Sequence, residues 1–227
     1  MFRKEKKADN TMQLPVKADH AGIQKPIRED KANILVLGTS GAGKSTLINV
    51  VIGQKVAKVG NGKHVTEEMQ SYESPDLNFR LIDSRGFEYN AWNTRKAVKD
   101  MQTWLRKGLR DKQPRIHMLW FCVDATSKRF TKQTVRTLEA VKKEWKDVPV
   151  IVVLTKSFFP AEDSENIRMV QETFMKFAKH TGMPVEIIPV LAEAPKGEDK
   201  LPRGIEDLIR ATEAHLDDAI RDSDDIV

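Results

Sequence analysis

The chain has 227 residues, of which 40% are hydrophobic and 31% are charged, and its formal net charge is +5. This length suits one domain with a sizeable core and excludes a second full domain. The chain contains no apolar stretch of about 18 residues, so we expect no transmembrane segment, and its basic residues are spread along amphipathic segments. We therefore expect a solvated surface, with nucleic-acid or acidic-lipid contact as the lesser alternative.

The single cysteine, Cys122, rules out an internal disulfide and lies in an apolar run. A buried small hydrophobic residue in a reducing compartment is the simplest interpretation. The N-terminal sequence MFRKEKKADN lacks the apolar core of a secretory signal. We therefore expect a cytoplasmic protein.

Residues 1–31 are polar, have mixed charge and include Pro15 and Pro26, which would interrupt a helix. We predict a flexible arm over residues 1–31, one folded domain over residues 32–220 and an acidic tail over residues 221–227.

Between the arm and the tail, apolar runs alternate with amphipathic helical patterns. The predicted strands are 33–37, 79–83, 116–123, 149–154 and 186–190, and the predicted helices are about 44–53, 94–109, 131–146, 163–180 and 204–220. This alternation predicts a three-layer α/β/α fold with a mostly parallel sheet. A further strand near 68–74 comes so soon before 79–83 that we expect a hairpin, which makes it an antiparallel edge strand.

The sequence GTSGAGKST, residues 38–46, follows the first strand and opens the first helix. It matches G-x-x-x-x-G-K-[ST], in which glycines let backbone N–H groups point at phosphate oxygens. Lys44 would neutralise the outer phosphates and Ser45 would ligate Mg²⁺, while the helix directs its positive end at the same anion. This motif predicts nucleoside triphosphate binding. The predicted phosphate contacts are Gly38, Ser40, Gly41, Ala42, Gly43, Lys44, Ser45 and Thr46.

A second motif, Asp83-Ser84-Arg85-Gly86, ends the strand 79–83, at the sheet edge where open α/β proteins collect ligands. Asp83 is a candidate to hold Mg²⁺ through water, and the N–H of Gly86 a candidate to sense the γ-phosphate. Between the two motifs, Thr66 is the candidate to complete the Mg²⁺ shell. A solvated loop threonine and a strand-ending turn are the plain alternatives.

The order GTSGAGKST, Thr66, DSRG and Leu154-Thr155-Lys156 resembles the translation-factor-like class of P-loop GTPases, within it the Era-type and TrmE-type small GTPases. The resemblance covers roughly residues 32–218 and implies a Ras-like G domain. It implies that Lys44 contacts the β- and γ-phosphates and that Ser45 and Thr66 ligate Mg²⁺. It also implies that Asp83 lies in the outer shell of the Mg²⁺ and that Gly86 senses the γ-phosphate.

The guanine loop of that family reads Asn or Thr, Lys, any residue, Asp, whereas this chain has Thr155-Lys156-Ser157-Phe158. Phe158 replaces a carboxylate whose charged hydrogen bonds to guanine are worth about 2–3 kcal/mol. Guanine preference is therefore weakened. Stacking by Phe158 or Phe159, or a reach from Glu162 or Asp163, are alternatives, and the resemblance adds a backbone contact at Leu191 and Ala192.

Hydrolysis departs from the Ras pattern because Phe87 stands where Ras-type enzymes orient water with glutamine. The resemblance implies slow GTP hydrolysis until a homodimer, K⁺ or another macromolecule completes the site, with Arg85 as a candidate charge-stabilising finger. We predict a Mg²⁺-dependent GTPase that acts as a GTP/GDP switch on an unidentified protein effector. A GTP-gated binding module with negligible hydrolysis and an ATPase are the alternatives.

Overall fold

The structure is a computed structural model that describes residues 31–55, 57, 70–83, 103, 115–128, 130–143, 145–179, 182, 184–194, 197, 198 and 200–224. Its strands are β1 (Ala32–Gly38), β2 (Gln70–Glu73), β3 (Phe79–Asp83), β4 (Met118–Asp124), β5 (Val150–Thr155) and β6 (Glu186–Pro189). Its helices are α1 (Lys44–Ile52), α2 (Lys132–Lys142), α3 (Asp163–Phe177) and α4 (Ile205–Asp224).

The six strands form one sheet in the order β2-β3-β1-β4-β5-β6. β2 pairs with β3 in antiparallel register, whereas every other pairing is parallel. The predicted sheet and its antiparallel edge strand are thus confirmed. Because the inner strands are parallel, the carboxyl ends of β1, β3, β4 and β5 meet at one edge.

The central strands β1, β4 and β5 are almost continuous apolar runs because helices cover both faces of the sheet. Successive residues of β1 face opposite layers: Leu35 and Leu37 pack with α2 and α3, while Ile34 and Val36 pack with α1 and α4. Trp120 is fully buried and donates its indole N–H to the Thr212 hydroxyl at 3.0 Å. An apolar layer therefore packs on each face of the sheet and fixes the strand ends from which the phosphate loop and the other predicted site residues extend.

Several element bounds differ from the sequence prediction. α2 ends at Lys142 rather than near residue 146, and the Lys142 ammonium donates to the carbonyl oxygen of Val148 at 2.5 Å. α4 continues to Asp224, so the tail boundary predicted after residue 220 falls inside a helix. The predicted helix 94–109 lies outside the described residues, apart from position 103. In the part of the chain that the structure describes, no helix is long and apolar enough to cross a membrane.

Candidate functional site

The phosphate loop begins where β1 ends, at a glycine that the fold requires. Gly38 has a φ of 147°, and a Cβ at this position would lie 2.5 Å from the carbonyl oxygen of Cys122 on β4. Any side chain would therefore push β1 and β4 apart. At the other end of the loop, Gly43 precedes α1 in the left-handed conformation, with φ at 81°.

Lys44 is the first residue of α1, and its side chain reaches back over the phosphate loop. Its ammonium donates to the carbonyl oxygens of Gly38 and Thr39, each at 2.9 Å. The first turn of α1 contains no acidic residue, so the positive end of the helix is not neutralised from within that turn. Ser45 and Thr46 belong to the same turn and are half-buried, whereas Ser40 and Gly41 at the tip of the loop are exposed. This arrangement is suited to a phosphate anion.

Asp83 lies at the end of β3, next to the strand that carries the phosphate loop, and its side chain is buried. Burial raises the pKa of the neighbouring Cys122 thiol to about 12, while the charge of Lys44 lowers this pKa and that of Asp83 raises it. The charges of Lys44 and Asp83 therefore both influence the buried thiol of Cys122. The Ser45 hydroxyl and the Asp83 carboxylate are hard oxygen donors of the kind that Mg²⁺ prefers, and they fit such an ion.

The other residues predicted for this part of the site lie outside the described residues. They are Thr66, Arg85, Gly86 and Phe87.

Thr155, the last residue of β5, joins the phosphate loop to the predicted guanine loop, residues 155–158. Its hydroxyl lies 2.7 Å from the carbonyl oxygen of Ala42 and 3.0 Å from that of Val123. Because a hydroxyl has one proton to donate, these two buried carbonyls share it. The phosphate loop, β4 and β5 thus meet at one side chain.

Lys156 follows in the left-handed conformation, with φ at 55°. Its ammonium lies 2.6 Å from Oδ2 of Asp124, while Oδ1 accepts the backbone N–H of Thr126 at 2.9 Å. Burial acts to raise the pKa of Asp124, but the hydrogen bonds from Lys156 and Thr126 outweigh it and hold this pKa below its ordinary value. The aspartate therefore stays charged and fixes the lysine beside the loop.

Ser157 is held through all its polar groups. Its backbone N–H donates to the carbonyl oxygen of Val190 at 3.1 Å, and its hydroxyl donates to Oδ1 of Asp163. Its carbonyl oxygen accepts from Nη2 of Arg203 at 2.7 Å. The guanidinium also contacts both oxygens of Asp163, at 2.6 and 3.1 Å. Sequence reasoning missed Arg203, since no local pattern marks a contact across 40 positions.

The suggested substitutes for the missing carboxylate have other partners. Asp163 pairs with Arg203, and Glu162 forms an ion pair with Lys128 at 3.3 Å. A reach to the base by Asp163 or Glu162 would therefore break an ion pair.

The two phenylalanine rings also have a neighbour. The ammonium of Lys200 lies 5.8 Å from the ring centroid of Phe158 and 4.5 Å from that of Phe159.

The second loop that the resemblance predicts to contact the base follows β6. Leu191 is buried, and its backbone forms two hydrogen bonds with the backbone of Arg203, at 3.0 and 2.9 Å. Ala192 comes next and is half-buried. Arg203 therefore contacts both loops, one through its main chain and the other through its side chain.

Known proteins resemble this chain in sequence. The family model described as "50S ribosome-binding GTPase" matches residues 33–156. The "Probable GTP-binding protein EngB" of Aquifex aeolicus is 28% identical over 133 residues, which cover 56% of this chain and 67% of EngB. "GTPase Der" of Mesorhizobium japonicum is 30% identical over 203 residues, which cover 84% of this chain and 40% of Der. The chain thus spans about two thirds of EngB and less than half of Der.

Solved structures resemble it in fold. Toc33 from Arabidopsis thaliana, in complex with Mg²⁺ and GMPPNP, superposes with a TM-score of 0.55 at 19% identity, over 83% of this chain and 85% of Toc33. Era in complex with MgGDPNP and part of 16S ribosomal RNA gives a TM-score of 0.53 at 17% identity, over 83% of this chain and 57% of Era. At these identities the similarity shows a shared Ras-like G-domain fold.

Proposed function

Because the chain belongs to the family described as 50S ribosome-binding GTPases, we propose that it binds GTP with Mg²⁺ and hydrolyses the γ-phosphate by direct attack of water. The observation that carries this proposal is the junction at Thr155, where the phosphate loop meets the guanine loop. A phosphate cradle alone serves many nucleotides. A phosphate cradle joined to a base-facing loop is the arrangement expected of a switch that reads the whole nucleotide.

The proposed roles divide between holding and sensing the triphosphate. Lys44 neutralises the β- and γ-phosphates, and the first turn of α1 faces the same oxygens. Ser45 and Thr66 would ligate Mg²⁺ directly, with Asp83 in its outer shell. When bound, Mg²⁺ neutralises charge that develops on the phosphate oxygens. Gly86 would sense the γ-phosphate through its backbone N–H. Hydrolysis would remove this contact, and the loops around residues 54–70 and 84–95 would then change shape.

Hydrolysis would be slow without help, because Phe87 cannot orient a water by hydrogen bonding. We propose that a partner completes the site, either a second copy of the G domain or another macromolecule, with K⁺ as a candidate activator and Arg85 as the candidate finger. Dimerization is important for the GTPase activity of the chloroplast translocon components atToc33 and psToc159, with which this chain shares its fold at a TM-score of 0.58. This property belongs to those proteins and motivates a dimer test for this chain.

The finer placement follows the sequence resemblance. We place the chain near the Era-type and TrmE-type GTPases and expect it to act in the cytoplasm, with residues 1–31 as an arm ahead of the G domain. The effector that would bind the GTP state is a protein of unknown identity.

Single-turnover hydrolysis tests this proposal. The protein, preloaded with γ-³²P-GTP and Mg²⁺, is followed at several protein concentrations with K⁺ or Na⁺. A rate that rises with protein concentration supports a dimer-assisted GTPase, and a rise with K⁺ alone supports a cation-assisted one. GTP that binds but is not hydrolysed in any condition favours the GTP-gated binding module instead, for which Phe87 is the sequence signature. Lys44→Ala is the matched control and should abolish turnover.

A further inference from the structure

Arg203 lies just before α4, outside every motif that the family resemblance supplies. Its side chain is 29% exposed and that of its partner Asp163 is 15% exposed, so the pair is partly shielded from water. Nη1 and Nη2 meet the two carboxylate oxygens as a fork, at 2.6 and 3.1 Å. This two-point geometry fixes orientation as well as distance.

The same guanidinium reaches the guanine loop. Nη2 lies 2.7 Å from the carbonyl oxygen of Ser157 and 3.1 Å from its hydroxyl. Ser157 also bonds Asp163, so the serine, the aspartate and the arginine form a closed triangle. The main chain of Arg203 pairs with Leu191 in the second base-facing loop. One residue thus sets the separation between the two loops that face the base.

We propose that Arg203 is a positioning residue for base recognition. The fork to Asp163 and the bond to Ser157 hold the guanine loop in register with the loop at Leu191 and Ala192. In this chain Phe158 supplies no carboxylate, so discrimination rests on backbone groups and on the stem of Lys156, which act only if the loops are held at fixed positions. This inference rests on the proposed function.

The test compares Arg203→Ala with Arg203→Lys and with Arg210→Ala. Arg210 forms a solvent-exposed ion pair with Asp207 within α4, at 2.7 Å. Arg210→Ala is a matched control because it removes the same type of side chain from the same region of the chain, at a position that contacts neither loop. Each variant is measured for the dissociation rate of mant-GDP, the ratio of ADP to GDP dissociation constants, and competition by inorganic pyrophosphate.

Arg203→Ala should speed mant-GDP release by about tenfold and lower the ADP-to-GDP ratio by about threefold or more, as expected for a coupled network. Pyrophosphate competition should change by less than about twofold, because the phosphate loop keeps its own contacts. Arg203→Lys should recover part of the ratio, since an ammonium keeps the charge but loses the fork. Arg210→Ala should leave all three values unchanged. A merely structural role would weaken all ligands together and leave the ratio fixed.

If Arg203→Ala fails to fold, Asp163→Asn decides the matter, because it retains the shape and one acceptor while removing the charge. An unchanged ADP-to-GDP ratio in Asp163→Asn, or in a folded Arg203→Ala, overturns the inference, whether or not release becomes faster. Failure of the wild-type protein to bind mant-GDP at all would instead overturn the proposed function.

Discussion

The hydroxyl of Thr155 lies 2.7 Å from the carbonyl oxygen of Ala42, so the end of β5 and the phosphate loop are joined by one hydrogen bond. A second carbonyl, that of Val123, shares the same hydroxyl at 3.0 Å. All three residues lie in or next to the buried edge of the sheet. This junction makes a measurable link between the folding of the domain and its affinity for nucleotide.

Thr155→Val should lower the free energy of unfolding by about 1–3 kcal/mol, because it leaves two buried carbonyls without their donor. It should also speed mant-GDP release, since the phosphate loop loses its support. Urea unfolding and stopped-flow release measure the two effects. Thr212→Val is the control: the Thr212 hydroxyl is equally buried but bonds Trp120 and Leu208 instead. It should lose stability with no effect on release, and equal release rates in the two variants would refute the link.

Gly38→Ala should destabilise the domain by about 3 kcal/mol or more, through steric overlap together with backbone strain. The new Cβ would lie 2.5 Å from the carbonyl oxygen of Cys122 on the neighbouring strand. Gly53→Ala is the matched control, because Gly53 also has a positive φ but has open space around its Cβ position. It should cost about 1 kcal/mol. Thermal melts that show similar losses for both variants would contradict the close approach of β1 and β4.

His117 should make stability depend on pH. Its Nδ1 accepts the backbone N–H of Asn33 at 2.9 Å, which requires a ring that is not protonated at this nitrogen. Burial, together with the positive charges of Arg115 and Arg80, lowers the pKa of His117 from 6.5. The unfolded chain therefore takes up a proton before the folded chain does. The stabilisation is fully present above pH 6.5 and is lost as the pH falls below that value, with a slope of at most about 1.4 kcal/mol per pH unit.

Urea unfolding between pH 5.5 and 7.5 measures this slope. His117→Asn is the informative variant, because the Asn oxygen takes nearly the position of Nδ1 and accepts the same N–H without titrating. The difference in slope between wild type and His117→Asn isolates the histidine. The lowered pKa of Asp124 removes stability only in more acidic solution, as the pH falls through values below 3.8. Identical slopes in wild type and His117→Asn would show that His117 is not the titrating group.

Cys122 should be unreactive in the folded protein. Burial raises its pKa to about 12, so its reactive thiolate is scarce at pH 8, and the chain has no other cysteine to complicate the signal. Ellman's reagent should therefore label the native protein only as fast as the domain opens, and label the urea-unfolded protein at once. Rapid labelling of the native protein would mean that β4 is accessible.

Much of the fold could be predicted from sequence because its signals are local. The buried strands are runs such as Val150–Thr155, and the phosphate loop sits between an apolar strand and a helix. Element ends were less predictable. α2 ends at Lys142, whose ammonium donates to the carbonyl oxygen of Val148, and this contact depends on how the chain turns after the helix.

The loops predicted to contact the base show the limit of sequence reasoning. Asp163 has the pattern of a helix N-terminal residue, and its reach to the base was an open alternative, yet it is held by Arg203. The two residues are 40 positions apart. They meet because β5, β6 and the starts of α3 and α4 converge at one sheet edge, which no local pattern specifies. Thr66, Arg85, Gly86 and Phe87 lie outside the described residues, so their roles remain sequence predictions.

Equilibrium titration of one protein sample with mant-GTP, mant-GDP and mant-ATP, with Mg²⁺ and with EDTA, tests the central claim most directly. We predict that GTP and GDP bind more tightly than ATP, that EDTA weakens GTP binding, and that Lys44→Ala loses all three ligands. We expect the preference for GTP over ATP to be less than about 100-fold, because Phe158 does not provide the carboxylate contact to guanine. ATP binding as tight as GTP binding would contradict the account and leave an ATPase as the better description.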